Sequence, residues 1–301
     1  MESILHLYRI GRGPSSSHTM GPNMAAQIFK TQHPQTHNFR VTLYGSLAAT
    51  GKGHLTDRAL RDVFSSHSLE IVWKPDELLP LHPNGMLFEA LKPNGEVNAF
   101  WEVYSVGGGA LKDQGQVLES SSQIYDLSSL GDIVAHCERQ GQALWEYILE
   151  REGEDFWESL QTVWTVMQTS IDAGLKAEGV LPGELGVPRK AWAFYRRTQM
   201  LELNSRRSGL LSAYALAVSE ENASGGVIVT APTCGACGVL PAVLRYAWEM
   251  TNCEEDAVLR ALATAGLIGN LVKYNGSISG AQVGCQGEIG TACAMAAGAA
   301  T

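Results

Sequence analysis

The sequence predicts an α+β protein: an N-terminal α/β domain with a small sheet over residues 1–135, then an all-α helical domain over 136–301 that is C-terminally incomplete. Three observations lead there. Short runs rich in β-branched and aromatic residues alternate with helical spacings in the first part. Such runs largely stop near residue 128, and long Ala- and Leu-rich segments follow. The length of 301 residues also exceeds the usual single-domain size.

Taken in order, "GPNMAAQIFKTQ" (21–32) has helical spacing, and "FRVTLYGSL" (39–47) reads as a strand ending in a glycine-rich turn. "TDRALRDVFSS" (56–66) is a second helix, and "LEIVWK" (69–74) and "NAFWEVYSVGGG" (98–109) are strands bounded by Gly, Pro or Asn. In the second part, 155–179 carries apolar residues at three- and four-residue intervals up to Gly179, where a glycine C-cap is expected. Pro182 and Pro188 make "LPGELGVPRK" a loop, because proline cannot sit in a helix interior. Segments 209–221, 237–251 and 254–273 are almost wholly apolar and read as buried helices. The run 294–301 has neither cap nor polar final turn, so a buried helix cut short is expected, with the natural protein continuing.

Composition narrows the function. The formal charge is −9 with no block of Lys or Arg, which removes nucleic acid as a partner. No apolar run reaches the roughly eighteen residues of a membrane span, and the start lacks a signal-peptide pattern, so the expectation is a cytoplasmic protein with no membrane partner. All six cysteines (137, 234, 237, 253, 285, 293) follow all eight histidines. In a chain this long, reduced thiols, metal ligands or catalytic thiols outrank a disulfide framework. A site using both sets would draw on both domains.

Three stretches are candidates for chemistry. "GRGPSSSHTMGP" (11–22) packs hydroxyls and a histidine into a loop before a helix, where an anion would be favoured; the plainer reading is a helix cap. "YGSLAATGKGHLTD" (44–57) hints at a phosphate loop. That pattern fails, because five residues separate Gly45 from Gly51 and Gly53 follows Lys52. A glycine-rich turn presenting Lys52 and His54 remains, at the end of a strand where ligands collect in α/β domains. In "NASGGVIVTAPTCGACGVLPAVL" (222–244), Cys234 and Cys237 sit at a helix start, which favours thiolates. A zinc site would want a second C-x-x-C, and a thioredoxin-like motif a different context. Cys285 and Cys293, in a run of Gly and Ala, read first as small packing residues.

"GPSSSHTMGP", "YGSLAATGKGH", "HPNGM", "YSVGGG", "EGVLPG", "VPR", "GGVIVTAPT", "GACG", "SISGA" and "GCQGEIGTACAMAA" occur in one order across essentially the whole chain. In this the chain resembles the bacterial iron–sulfur L-serine dehydratases (L-serine ammonia-lyases), in the form with both regions fused. The resemblance implies conversion of L-serine to pyruvate and ammonia without pyridoxal phosphate. It further implies a 4Fe-4S cluster on Cys237, Cys285 and Cys293, with an open iron acting as a Lewis acid on the substrate hydroxyl. Cys234 stands where many relatives carry Asn and is left out of the cluster. By the same resemblance Ser16, Ser17, His18, Thr19, Lys52 and His54 line the substrate site, with His54 the first choice of general base and His18 the second. Lys52 is counted with them as catalytic, Ser16, Ser17 and Thr19 as substrate-binding. A homodimer is the expected assembly. Two alternatives remain at this stage: an inactive fragment or binding module for a small carboxylate, and a zinc or thiol-redox protein using Cys234 and Cys237.

Overall fold

The computed structural model describes residues 1–113, 116–118 and 122–301. The chain divides into two units, Arg12–Ser120 and Met1–Gly11 with Ser121–Thr301. Residues 1–11 and 122–135, which the sequence assigns to the first domain, therefore belong with the helices. The reason is burial at the chain start: the Met1 ammonium donates to the Tyr125 carbonyl at 2.6 Å, and Ile4 and Leu7 are buried. The short strand β1 (Ile10–Arg12) pairs with β8 (Val227–Val229).

The Arg12–Ser120 unit holds helix α1 (Gly21–Gln32), strand β2 (Asn38–Tyr44), helices α2 (Gly45–Thr50) and α3 (Thr56–Val63), and strands β3 (Ser68–Lys74), β4 (Gly85–Leu91), β5 (Val97–Val106), β6 (Ala110–Asp113) and β7 (Gln116–Val117). The sheet order is β3-β2-β4-β5-β6-β7; β2 and β3 are parallel and the other pairs antiparallel. Strand β2 lies between β3 and β4, and its Phe39, Val41 and Leu43 bury with Met86, Phe88 and Ala90 of β4 and with Ala25, Ala26 and Phe29 of α1. Burial of the Phe, Val, Leu and Met side chains among these contributes roughly 1.5–3 kcal/mol each. β4 does not figure among the sequence-derived strands. Its burial shows the period-2 alternation of a half-buried strand, with Met86, Phe88 and Ala90 inside, but it is flanked by the turn-forming "HPN" and "KPNG".

β2 ends at Tyr44, earlier than 39–47 implies, because Gly45 turns the chain at φ +49. A Cβ there would lie 2.6 Å from the Pro83 carbonyl oxygen, so only glycine fits. The turn leads directly into α2 and the loop that bears Lys52 and His54.

The helical unit contains α4 (Leu130–Gln140), α5 (Leu144–Leu149), α6 (Phe156–Gly174), α7 (Ala191–Gln199), α8 (Leu203–Ala223), α9 (Val239–Thr251), α10 (Glu255–Asn275) and α11 (Gly280–Ala300). Its core is built from Leu160, Trp164 and Met167 of α6, Leu240 and Leu244 of α9, and Leu262 and Leu267 of α10, with Ile4 and Tyr8 from the chain start. The α+β class predicted from sequence is what the structure has. Helix α6 stops at Gly174, five residues short of the expected cap at Gly179. Gly174 is instead the close-approach point to α8, where a Cβ would lie 2.2 Å from the Ala217 carbonyl oxygen. Small residues do the same between α10 and α11: a Cβ on Gly269 would meet Met295 Sδ at 2.8 Å.

Candidate functional site

The segment "SSHTM" forms one wide turn, Ser16–Met20, capped by Ser15 and directly before α1. Such turns recur at functional sites because their bonding loosens the regular helix. The Thr19 and Met20 amides both donate to the Ser15 carbonyl at 3.0 Å, and the His18 amide donates to Ser15 Oγ at 3.1 Å. Two hydroxyls fasten this turn to the loop before α3. Thr19 Oγ1 donates to the His54 carbonyl at 2.6 Å, and Thr56 Oγ1 donates to the His18 carbonyl at 2.5 Å. The His18 and His54 rings lie with centroids 4.7 Å apart.

The two imidazoles differ in what their nitrogens can do. His18 Nδ1 is 2.9 Å from Ser17 Oγ and its Nε2 is 3.0 Å from Ser46 Oγ, so both ring nitrogens are engaged. His54 Nδ1 lies 3.0 Å from the Thr50 carbonyl oxygen. A carbonyl only accepts, so Nδ1 carries the hydrogen and the lone pair sits on Nε2. Among the described residues nothing hydrogen-bonds to that Nε2.

Burial first, and then the neighbouring His54, pull the His18 pKa down to about 4, against a smaller raising effect of the Ser46 contact. His18 is therefore neutral at pH 7. Its unfolded value is about 6.5, so between pH 6.5 and 4 the unfolded chain binds the extra proton and the folded chain does not. The stability contributed by neutral His18 is fully present above about pH 6.5 and is lost as pH falls toward 4. In urea melts, wild type loses more stability between pH 7 and 5 than His18→Asn does; equal losses in the two would remove His18 as a source.

The other residues singled out in the sequence fall into distinct roles. Thr19 uses its hydroxyl twice within the fold, donating to the His54 carbonyl and accepting from the Ser15 amide at 3.2 Å. Ser16 is buried and accepts the Gly21 amide on its carbonyl. Ser17 touches His18, and Lys52 is exposed with its ammonium 5.8 Å from the Trp73 ring centre. Ser46 and Thr56, which grip His18, were not among the sequence-derived site residues. Ser46 lies within the quoted "YGSLAATGKGH", yet no spacing rule pairs a hydroxyl with a histidine 28 positions away.

The helical unit contains all three cysteines that the resemblance assigns to a cluster. Cys237 follows a short turn, Cys234–Ala236, before α9 and is buried; Cys285 and Cys293 are exposed on α11. The turn carries Cys234 at its first position, also buried. The thiolate character expected of a helix start is opposed here by desolvation, which pushes the Cys237 thiol up to about 12 and the Cys234 thiol up as well. Thiol chemistry suits iron or zinc. The arrangement does not: among the described residues no three His, Cys, Asp or Glu side chains gather as a metal-holding group. Eight helical residues separate Cys285 from Cys293 by about 12 Å along the axis. The three thiols as placed do not form the ligand set the resemblance implies.

Comparison with known proteins bears on both units. The family model for the serine dehydratase beta chain matches residues 3–65 and that for the serine dehydratase alpha chain matches residues 65–301. An L-serine dehydratase of Haemophilus influenzae is 38% identical, with 99% of this chain and 77% of the relative aligned. One from Streptomyces coelicolor is 36% identical over 99% of this chain and 77% of its own length. L-serine dehydratase TdcG of Escherichia coli is 37% identical, covering 100% and 78%. With two family models that together span nearly its whole length, and relatives this similar, the chain belongs to the serine dehydratase family.

Proposed function

We propose that this chain is an L-serine ammonia-lyase, a lyase that eliminates water from L-serine and releases pyruvate and ammonia. The observation that carries the reading is the fastened pair of loops in which His54 presents an unengaged Nε2 beside a neutral His18. Membership of the serine dehydratase family supports it. In this reading His54 Nε2 takes the α-proton, as a positioned base near working pH does. His18, held by Ser17 and Ser46, keeps the neighbouring position uncharged, so it does not repel the imidazolium that forms on His54. Lys52 supplies a cation for the substrate carboxylate. Loss of the β-hydroxyl gives aminoacrylate, which tautomerises to the imine and hydrolyses to pyruvate and ammonia.

A 4Fe-4S cluster on Cys237, Cys285 and Cys293 belongs to the same proposal, supported by the resemblance and by the softness of three thiols. Cluster binding requires α11 to unwind between Cys285 and Cys293, next to the break at Gly284, whose φ of 67° and ψ of 177° interrupt the helix one residue before Cys285. Among the described residues no helix is long and apolar enough to cross a membrane, and the six cysteines are unbridged. Reduced thiols accord with a cytoplasmic location, and a homodimer is the assembly proposed.

Anaerobic reconstitution followed by iron, sulfide and zinc analysis and a pyruvate assay tests the proposal. The expected result is about four irons and four sulfides per chain, lost in Cys237→Ser, Cys285→Ser or Cys293→Ser and kept in Cys234→Ser, with pyruvate formed from L-serine. Zinc bound through Cys234 with no pyruvate would favour the thiol–zinc alternative instead.

A further inference from the structure

The chain has 22 Lys and Arg against 31 Asp and Glu, yet Arg206 and Arg207 stand side by side on α8 without a carboxylate partner among the described residues. Both line a cavity of about 230 Å³ formed by α7, α8 and α9, within the helical unit. It includes none of the residues assigned to catalysis or to the cluster. Its volume lies just below the roughly 300–1,000 Å³ of pockets for drug-sized ligands, so a smaller molecule fits. The walls are largely apolar: Leu210 and Tyr214 are buried, and Tyr195 and Tyr246 are half-buried. The hydroxyls of Tyr195 and Tyr246 make no hydrogen bond with any described residue.

The charges on this lining are unequally matched. Glu249 is its carboxylate, and both oxygens are engaged: the Tyr214 hydroxyl donates to one at 2.6 Å, and Arg245 Nε donates to the other. Arg206 is fixed in place, its Nε donating to the Leu201 carbonyl at 2.7 Å and its Nη2 to the Gln199 carbonyl at 3.0 Å. Arg207 makes no hydrogen bond or ion pair with any described residue. A surplus of positive charge therefore faces a concave space with aromatic walls, an arrangement that concentrates anions. The planar fork of a free guanidinium matches a carboxylate through two parallel hydrogen bonds. A ligand ammonium finds no such place, because Glu249 is already taken and two guanidiniums stand on the same lining.

We propose that this cavity is a binding site for a small carboxylate that has an apolar chain or ring and no ammonium group. The carboxylate sits on Arg207 and the apolar body lies against Tyr195, Tyr246 and Leu210. The site accepts simple and 2-oxo acids and rejects amino acids, and the rejection comes from the repulsive element, the pair of guanidiniums. It stands independently of the L-serine ammonia-lyase reading, which uses none of these residues.

Isothermal titration of the full chain with 3-phenylpropionate and with L-phenylalanine tests this, since the two differ only in the α-ammonium group. The expected result is saturable binding of 3-phenylpropionate and binding of L-phenylalanine about tenfold or more weaker, because like charges placed together are costly. In Arg207→Ala, affinity for 3-phenylpropionate falls about 10- to 100-fold, the range for a charge-assisted hydrogen bond. Arg207 is exposed and alanine is the best helix former, so α8 keeps its fold in this variant. Arg197→Ala removes an exposed cation of α7 that does not line the cavity, and it leaves the affinity unchanged. No saturable binding of 3-phenylpropionate up to about 10 mM would overturn the proposal. So would wild-type affinity in Arg207→Ala, an equal loss in Arg197→Ala, equal binding of the two ligands, or displacement of 3-phenylpropionate by an equal concentration of inorganic phosphate.

Discussion

Replacing His54 by asparagine lowers kcat for pyruvate formation by about 10²–10⁴-fold, the usual contribution of a positioned general base. Asparagine suits the test because its amide can still donate to the Thr50 carbonyl that holds the imidazole Nδ1–H, so the loop keeps its tie. What disappears is the free lone pair of Nε2. The Thr19 bond to the His54 backbone carbonyl is untouched by the change. The expected pattern is therefore a fall in kcat with the Kd for L-serine and the urea midpoint close to wild type. His18→Asn should affect catalysis less, since both His18 ring nitrogens are already bound to serine hydroxyls. A His54→Asn enzyme within fivefold of wild-type kcat would remove His54 as the base.

Gly21→Ala has the second large effect, and it acts through packing. A Cβ at Gly21 would lie 2.1 Å from Ser105 Oγ and 2.9 Å from Ser105 Cβ. Ser105 sits in β5, bonded to β6 on one side, with its amide donating to Asn84 and its carbonyl accepting the Asn84 side chain, so it cannot retreat. The start of α1 and the Ser16–Met20 turn must move instead, carrying His18 with them. The expected cost is about 1–3 kcal/mol of stability from overpacking. A catalytic group displaced by an ångström can cost on the order of 100-fold in rate, and a loss of kcat/KM of that order follows. Ser105→Ala alone should be neutral or slightly stabilising, because the buried Ser105 hydroxyl has no partner to lose. In Gly21→Ala/Ser105→Ala the nearer clash is gone and the farther one remains, so activity returns in part. No recovery in the double variant would place the damage elsewhere than at this contact.

Much of the fold is legible in the residues. Helix α1 runs over the very segment "GPNMAAQIFKTQ" that spacing marks, and β3 adds only Ser68 to "LEIVWK". Both encode their structure in local periodicity. β4, as long as β3, lacks that clarity because turn residues frame it, and it is recognised as a strand through the partners on either side of it. The end of α6 escapes because a glycine that caps and a glycine that admits a crossing helix look alike; Gly174 is the second kind.

The candidate site divides the same way. The sequence by itself determined which side chains are available: two histidines and a run of hydroxyls in glycine-bounded loops, thiols confined to the second half, and an ordered set of motifs that carries the family. Tertiary structure alone decided what each does. It gives Thr19 and Thr56 to fastening the loops, and it engages both nitrogens of His18 while leaving His54 Nε2 open. It buries Cys237, where proximity to a helix start had favoured a thiolate. The physical reason is common to all of these. Hydrogen-bond partnership, desolvation and open space depend on neighbours distant in the chain, whereas periodicity and turn chemistry are local and can be read along it.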